Sequence, residues 1–312
     1  MADIAEPAQA QQAARPARRG RGANGRLFYR HERLRGYGLL MPALLFMAAG
    51  ILIPFGILVT MSFWTQTGFD IDTSFTLDNY AKAFEQPVYQ TLILRSLYMS
   101  GAATVATVLL CYPIAYFVAF HVHRGKMLWL ILLTLPFWTS YLLRVFAWKT
   151  VLGYNGVINS ALMSVGLIDQ PLEFLLYSQS AVIITLAHAW APFAILPIYV
   201  SLEKIDRSLL EAATDLGDGP WRRFLRVTLP LSAPGIIAAT LLIFIPTVGD
   251  YITPALLGGP DGVMIGNMIQ MQFGRINDWP MGATLAIIMM ICVAIVALTV
   301  IVGTSRLKAR AS

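Results

Sequence analysis

Long apolar segments are the feature that most constrains this chain, because only helices and closed barrels can cross a lipid bilayer. Of its 312 residues, 57% are hydrophobic and 13% are charged, against roughly 25% charged in soluble domains. The alternation typical of barrel strands does not occur. A spanning helix needs about 20 apolar residues, so the sequence predicts an all-α integral membrane protein with six transmembrane helices: Tyr37–Trp64, Leu97–Phe120, Met127–Val151, Gln179–Val200, Ala233–Leu257 and Met281–Gly303.

Basic residues are distributed unevenly among the connections. Most of the 23 Lys and Arg residues lie in the first 36 residues, after the second span, around Glu211 and at the C-terminus. Cytoplasmic connections are enriched in Lys and Arg, so we expect both termini to be cytoplasmic. Residues 1–36 are predicted to be a basic, disordered cytoplasmic tail, 37–306 the six-span domain with a cytoplasmic loop at about 203–230, and 307–312 a C-terminal tail.

The connections on the other side are acidic. Two explanations remain open: outer loops simply lack the retained basic residues, or an acidic mouth concentrates a cationic solute. The carboxylates concerned are Asp70, Asp72, Asp78, Glu85, Asp169, Glu173, Asp250, Asp261 and Asp278.

The cytoplasmic loop reads as a helix-turn-helix. Ser208 as N-cap and Glu211 three residues later form a predicted capping box. Gly217 is predicted to end this helix in the left-handed conformation. Pro220 then starts a second helix, which Pro230 is expected to end before the fifth span.

The second helix of the loop is both basic and aromatic. Trp221 and Phe224 offer apolar contact area, and Arg222, Arg223 and Arg226 offer charge. Such a helix suits docking of a soluble protein, and it equally suits an amphipathic helix lying on lipid headgroups.

The loop resembles the EAA signature of ABC importer membrane subunits. The matching positions are Glu211-Ala212-Ala213, Gly217 and Val227–Pro230, with Val227 where the family has Ile. The resemblance implies that the loop inserts into a cleft of a cytoplasmic ATPase subunit. The residues expected to couple the two subunits are Glu211, Ala212, Ala213, Gly217, Trp221 and Arg222.

Further segments are similar to spermidine/putrescine importer permeases: Pro136–Trp148, Asn155–Asn159, Pro246–Asn267 and the Asn277–Pro280 tetrapeptide. The likeness runs from about Tyr37 to Arg306. It implies the type I ABC importer membrane domain in a bacterial inner membrane. The partners implied are cytoplasmic ATPase subunits, a second permease subunit, an extracytoplasmic solute-binding protein and membrane lipid, with putrescine or spermidine as solute.

Two charges interrupt predicted spans. Asp250 lies in the outer half of the fifth, where burying a lone charge costs about 2.5–3.5 kcal/mol. Either Asp250, with neighbouring Tyr251, lines the pathway, or the helix ends early and leaves Asp250 at the interface. Arg144 in the third span either snorkels to the interface or lines the pathway and pairs with Asp250.

Motifs for other functions are missing from the sequence. It has neither the G-x-x-x-x-G-K-[ST] phosphate loop nor H-E-x-x-H, so we expect no enzyme activity, no metal and no bound cofactor, with ATP used by a partner. Basic residues beside spans argue against nucleic acid. The alternatives are an ABC permease for ferric ion, an opine or another small solute, an ion-coupled secondary transporter and, less favoured, a membrane enzyme. Co-purification of an ATPase would distinguish the importer from the secondary transporter.

Overall fold

Helices dominate the computed structural model of the protein, which describes residues 32–175 and 177–311. Short 3-10 turns cover Leu135–Trp138 and Glu173–Leu175, and π-helical turns cover Phe224–Thr228, Pro254–Gly258 and Gln272–Ile276. The helices are α1 (Glu32–Met61), α2 (Asp78–Glu85), α3 (Pro87–Phe120), α4 (Lys126–Thr134), α5 (Tyr141–Leu152), α6 (Val157–Ser164), α7 (Gln179–Ala189), α8 (Ala191–Glu203), α9 (Arg207–Asp215), α10 (Pro220–Arg223), α11 (Leu229–Val248), α12 (Ile265–Met271) and α13 (Trp279–Ala311).

The chain divides into two units at Gly56. In the first, the described residues form most of α1, which contains Pro42 and Pro54. Of the tail predicted for residues 1–36, positions 1–31 lie outside the described residues, and α1 begins at Glu32. The second unit, from Ile57, contains all the sites discussed below.

Four helices of the described chain are long and apolar enough to cross a membrane: Leu39–Met61, Pro87–Phe120, Pro220–Val248 and Trp279–Thr304. Counting each of two bent helix pairs as one span gives six. Lys126–Trp138 meets Tyr141–Ser164 at 84°, and Gln179–Ala189 meets Ala191–Glu203 at 48°. Counted in this way, the six predicted spans are reached, with the third and fourth each bent instead of forming one straight helix.

Both breaks are backbone features rather than effects of the charge at Arg144. In the third span, Pro136 lies in the 3-10 turn that begins at Leu135, and the backbone then leaves helical geometry at Thr139 (ψ 156°) and Ser140 (ψ 135°). In the fourth, Trp190 leaves helical geometry and Pro192 lies in the first turn of α8, where its missing N–H costs no hydrogen bond.

The fifth span starts earlier and ends earlier than predicted. Pro230 does not end a helix: the chain is helical from Pro220 to Val248. The π-helical turn before Pro230 makes this possible, since the Leu229 N–H bonds the Phe224 carbonyl five residues back and the wider turn makes room for the proline ring. At the other end the helix stops at Val248, short of the predicted Leu257.

A two-stranded antiparallel hairpin, β1 (Thr65–Thr67) and β2 (Asp70–Asp72), is the one departure from the all-α prediction in the described chain. Gly68 supplies the positive φ (+67°) of its turn. Strands of three residues are too short to show alternation in a sequence. The Gln66 side chain accepts a hydrogen bond from the Trp279 N–H (3.2 Å), which links the hairpin to α13.

The core joins α3, α8 and α11 around Ala115, Ile198 and Ile243, each fully buried. Close approach depends on Gly235, where a Cβ would lie 2.5 Å from the Pro197 carbonyl oxygen. Small residues permit such contacts between membrane helices. The helix that continues the loop is thus packed tightly into the domain.

Candidate functional site

The helix α9 begins at a different residue from the one predicted. Asp206, not Ser208, is the N-cap: its backbone is extended and its Oδ1 accepts a hydrogen bond from the Ser208 N–H at 3.0 Å. Both residue types are good N-caps, so the sequence did not distinguish them. Glu211 consequently lies in the second turn, too far along to complete a capping box, and its side chain is exposed.

Replacing the N-cap residue Asp206 is expected to change the hydrogen-exchange protection of α9. The hydrogen bond from the Ser208 N–H holds the pKa of Asp206 below its ordinary value. We expect Asp206→Ala to lower hydrogen-exchange protection of the α9 amides, because an N-terminal N–H loses its acceptor. Asp206→Ser, which retains a capping oxygen, should preserve protection.

The pH dependence of this effect has a definite sign. Since the folded-state pKa is lowered, the ionised cap stabilises α9 above the unfolded pKa, and this stabilisation is lost as pH falls through the folded pKa. Wild-type protection should approach that of Asp206→Ala only in strongly acidic solution. Equal protection of the two proteins at neutral pH would contradict the assignment.

The turn between α9 and α10 is closed by Gly217, as predicted. Gly217 has φ +89°. Its N–H bonds the Thr214 carbonyl (2.9 Å), and the Asp218 N–H bonds the Ala213 carbonyl (3.0 Å). These two bonds form a Schellman motif, which directs the chain from α9 into α10.

Aromatic residues anchor the second helix of the loop to the domain. Phe224 stands edge-on to Tyr112, with ring centroids 5.7 Å apart, and Trp221 stacks on Phe224 at the same separation. Trp221 remains 71% exposed, so its ring offers apolar area to another molecule. Arg222 is also exposed, whereas Arg223 donates to the Thr214 hydroxyl (2.9 Å).

A polar cavity of about 460 Å³ lies between this loop and the end of α3. Glu211 and Asp215 line it together with Arg207 and Arg223. Among the predicted coupling residues, Ala213 is buried whereas Ala212 is exposed. The exposed groups of α9 therefore leave a small, charged surface that another protein can approach closely.

The second site is a cavity of about 430 Å³ that brings together Arg144, Asp250 and Tyr251, the three predicted pathway residues. Phe137 and Phe193 are among its other lining residues. Asp250 follows the end of α11, which is the early helix end that the sequence left open. Although Asp250 lies beyond the helix end, it lines the cavity.

Hydroxyl and backbone groups hold the Asp250 carboxylate. The Tyr141 hydroxyl donates to Oδ2, and so does the Thr253 hydroxyl at 2.7 Å. The Ile252 N–H donates to Oδ1 at 2.9 Å, and the Thr253 N–H donates to the same oxygen at 3.4 Å. The ion pairs in the described part of the chain are Lys126–Glu203 and Arg226–Asp218, so Asp250 has no basic partner there.

Arg144 lies in the same cavity without pairing with Asp250. Its guanidinium donates to the carbonyl oxygens of Phe137 (2.7 Å), Thr139 (3.1 Å) and Ala189 (3.1 Å). The guanidinium carbon also lies 4.9 Å from the centroid of the Phe137 ring. The Phe137 and Thr139 carbonyls lie at the break in the third span, and the Ala189 carbonyl lies at the break in the fourth.

Sequence reasoning missed the two hydroxyl partners of Asp250. Tyr141 and Thr253 are separated by 112 residues, and only Tyr141 carried a signal, through its position one helical turn before Arg144. Trp138, also near Arg144 in the sequence, is 80% exposed. His188 accepts a hydrogen bond from the Trp148 indole at 3.1 Å, consistent with a packing role.

Sequence relatives of this chain are membrane transport proteins. The family described as binding-protein-dependent transport system inner membrane component matches residues 104–308. The spermidine/putrescine transport system permease protein PotB of Escherichia coli K12 is 42% identical over 224 residues, covering 72% of this chain and 81% of PotB. The Haemophilus influenzae PotB is 39% identical over 238 residues, covering 76% and 82% respectively. The Escherichia coli inner membrane ABC transporter permease protein YdcU is 34% identical over 299 residues, covering 90% and 93%.

Solved structures share the fold at low sequence identity. A chain of a bacterial ABC transporter involved in import of the acidic polysaccharide alginate superposes with a TM-score of 0.67 at 19% identity, covering 90% of this chain and 99% of that one. A chain of a bacterial alginate ABC transporter in complex with alginate pentasaccharide-bound periplasmic protein superposes with a TM-score of 0.69 at 19% identity, covering 91% of this chain and 98% of that one. At this identity the likeness bears on the fold alone.

Proposed function

The chain belongs to the binding-protein-dependent transport system inner membrane component family, and on that premise we propose that it lines the translocation pathway for putrescine and spermidine. It is a permease subunit of an ABC importer, with the type I membrane-domain fold. The chain forms part of the pathway, and a separate ATPase powers transport.

The observation that carries the solute assignment is the Asp250 carboxylate. It faces a cavity, accepts hydrogen bonds from hydroxyl and backbone donors, and has no basic partner among the described residues. Its negative charge, which no described basic side chain neutralises, can therefore attract an ammonium group that enters the cavity. The aromatic rings of Phe193 and Tyr251 in the same cavity suit the alkyl chain and the cationic ends of a polyamine.

The α9–α10 loop is the proposed contact with the ATPase subunits. Glu211 is exposed and is not used as a capping partner, Ala212 leaves room for close approach, and Trp221 supplies apolar area. Gly217 directs the turn, and Arg222 adds exposed charge. Because the phosphate-binding motif is absent from the sequence, we assign ATP binding and hydrolysis to the partner and no cofactor to this chain.

The remaining partners and the orientation belong to the same proposal. A second permease subunit would complete the pathway, and an extracytoplasmic binding protein would deliver the solute. Basic residues surround Glu211 and occur at the termini. They support a cytoplasmic location for the α9–α10 loop and for both termini. We place the protein in the bacterial inner membrane, in contact with lipid and not with nucleic acid.

Uptake of labelled putrescine and spermidine by cells with and without this subunit tests the proposal. We expect deletion to abolish binding-protein-dependent uptake of both, and ATP depletion with ion gradients maintained to stop it in the wild type. Unchanged polyamine uptake on deletion, with loss of uptake of ferric ion, an opine or another solute, would overturn the solute assignment. ATP-independent uptake by this chain alone would overturn the proposed coupling.

A further inference from the structure

Two opposite charges share the Asp250 cavity without neutralising each other. The carboxylate accepts hydrogen bonds from Tyr141, Thr253 and the Ile252 N–H. The two terminal nitrogens of the Arg144 guanidinium donate to three backbone carbonyls, and its buried Nε has no hydrogen-bond partner within the described chain. Carbonyl groups are dipoles without net charge, so Arg144 contributes a full positive charge to the cavity wall. Its planar fork of donors is fixed by these contacts, and it cannot swing freely towards Asp250.

A fixed positive charge acts on a cationic solute in the opposite sense to the carboxylate. Effective dielectric constants near protein sites are far below that of water, so unit charges interact over several ångströms. A solute ammonium on Asp250 is attracted, while any further ammonium of the same solute within the cavity is repelled by Arg144. The repulsion grows with the number of charges that the solute carries.

We infer that Arg144 is a specificity-determining residue that limits the positive charge of the solute passing Asp250. This inference rests on the proposed function. Putrescine and spermidine share a diaminobutane unit, and spermidine adds one aminopropyl arm with one more charge. Arg144 therefore disfavours spermidine relative to putrescine at this point of the pathway. The binding protein also selects, but its contribution is the same for every variant of this chain.

The first test compares Arg144→Gln with Arg144→Lys in cells containing the complete transporter. The measured quantity is the ratio of spermidine to putrescine uptake, each as the apparent kcat/KM. We expect Arg144→Gln to raise this ratio at least about threefold, because the repelling charge is gone. Arg144→Lys, which keeps the charge, should retain the wild-type ratio.

A second pair of variants keeps the arginine and its carbonyl contacts. Thr139 lines the same cavity, so Thr139→Asp places a carboxylate near the guanidinium, and Thr139→Asn is the uncharged control of the same shape. We expect Thr139→Asp to shift the ratio in the same direction as Arg144→Gln, and Thr139→Asn to leave it unshifted. This pair decides the matter if Arg144→Gln does not assemble.

A ratio is insensitive to loss of folded protein, since both solutes are affected equally. An unchanged ratio in assembled Arg144→Gln or in Thr139→Asp would overturn the inference, as would an equal shift in Thr139→Asn. Failure of the proposed function gives a different result. In that case the wild-type transporter takes up neither polyamine, and no ratio can be formed.

Discussion

Gly217→Val is expected to reduce uptake at least about tenfold while leaving the subunit in the membrane. Gly217 has φ +89°, and a side-chain-bearing residue in the left-handed region costs about 1–2 kcal/mol, more for a β-branched one. No heavy atom lies within 4 Å of a Cβ built at this position. The substitution therefore changes the direction of the chain after α9 and not its packing.

Gly219 provides a matched control two residues along. It too has open space around a Cβ, but its φ of −66° and ψ of 166° are ordinary for a residue that precedes proline. Gly219→Val should retain near wild-type uptake and ATPase co-purification. Glu211→Ala, which leaves the backbone alone, should weaken ATPase co-purification as Gly217→Val does. Wild-type co-purification and uptake in both Gly217→Val and Glu211→Ala would refute the assigned role of the loop.

Asp250→Asn is expected to raise the KM for polyamine uptake at least about tenfold, because removing one partner of a buried charge pair costs about 2–5 kcal/mol. The amide keeps the shape of the site. Its oxygen can still accept from the Ile252 N–H, and the hydroxyls of Tyr141 and Thr253 can accept from its NH₂ group. Assembly with the partner subunits should therefore be unaffected.

Asp72→Asn is the control for this substitution. Asp72 also accepts a hydrogen bond from the N–H two residues ahead, that of Ser74 (2.9 Å), but it lies in the exposed β hairpin. Its replacement should leave the KM near the wild-type value. If both variants lost affinity equally, general attraction by the acidic loops would explain the effect better than a site at Asp250. Wild-type KM in Asp250→Asn would remove Asp250 from the pathway.

Hydropathy predicted the number of spans because a helix must have about 20 apolar residues to cross a bilayer, and apolar segments of that length can be recognised in a sequence. The breaks at Thr139–Ser140 and at Trp190 were not predictable. Each has a nearby proline, but proline is also tolerated within membrane helices, as Pro113 in α3 shows. The N-cap was placed wrongly because Asp206 and Ser208 are equally good caps by residue type.

The loop was more predictable than the cavity for a physical reason. The Schellman turn at Gly217 depends on residues within one helical turn of each other, so its pattern is local. The Asp250 site depends on Tyr141, which is 109 residues away, and on carbonyl groups exposed by a bend. Charge alone indicated Arg144 and Asp250. Their separate partners could be assigned only once the third and fifth spans were placed side by side.

The helix is continuous from Pro220 to Val248. The second helix of the loop and the fifth span can therefore move together as one rigid body. Its 29 residues correspond to a rod about 43 Å long at 1.5 Å per residue, and Asp250 follows two residues beyond its end. A rod of this length acts as a lever: a tilt of about 5° at the loop moves the far end by about 4 Å. That displacement is comparable to the width of an alkylammonium chain, so we expect a small rotation of the proposed ATPase-docking loop to widen or narrow the cavity at Asp250.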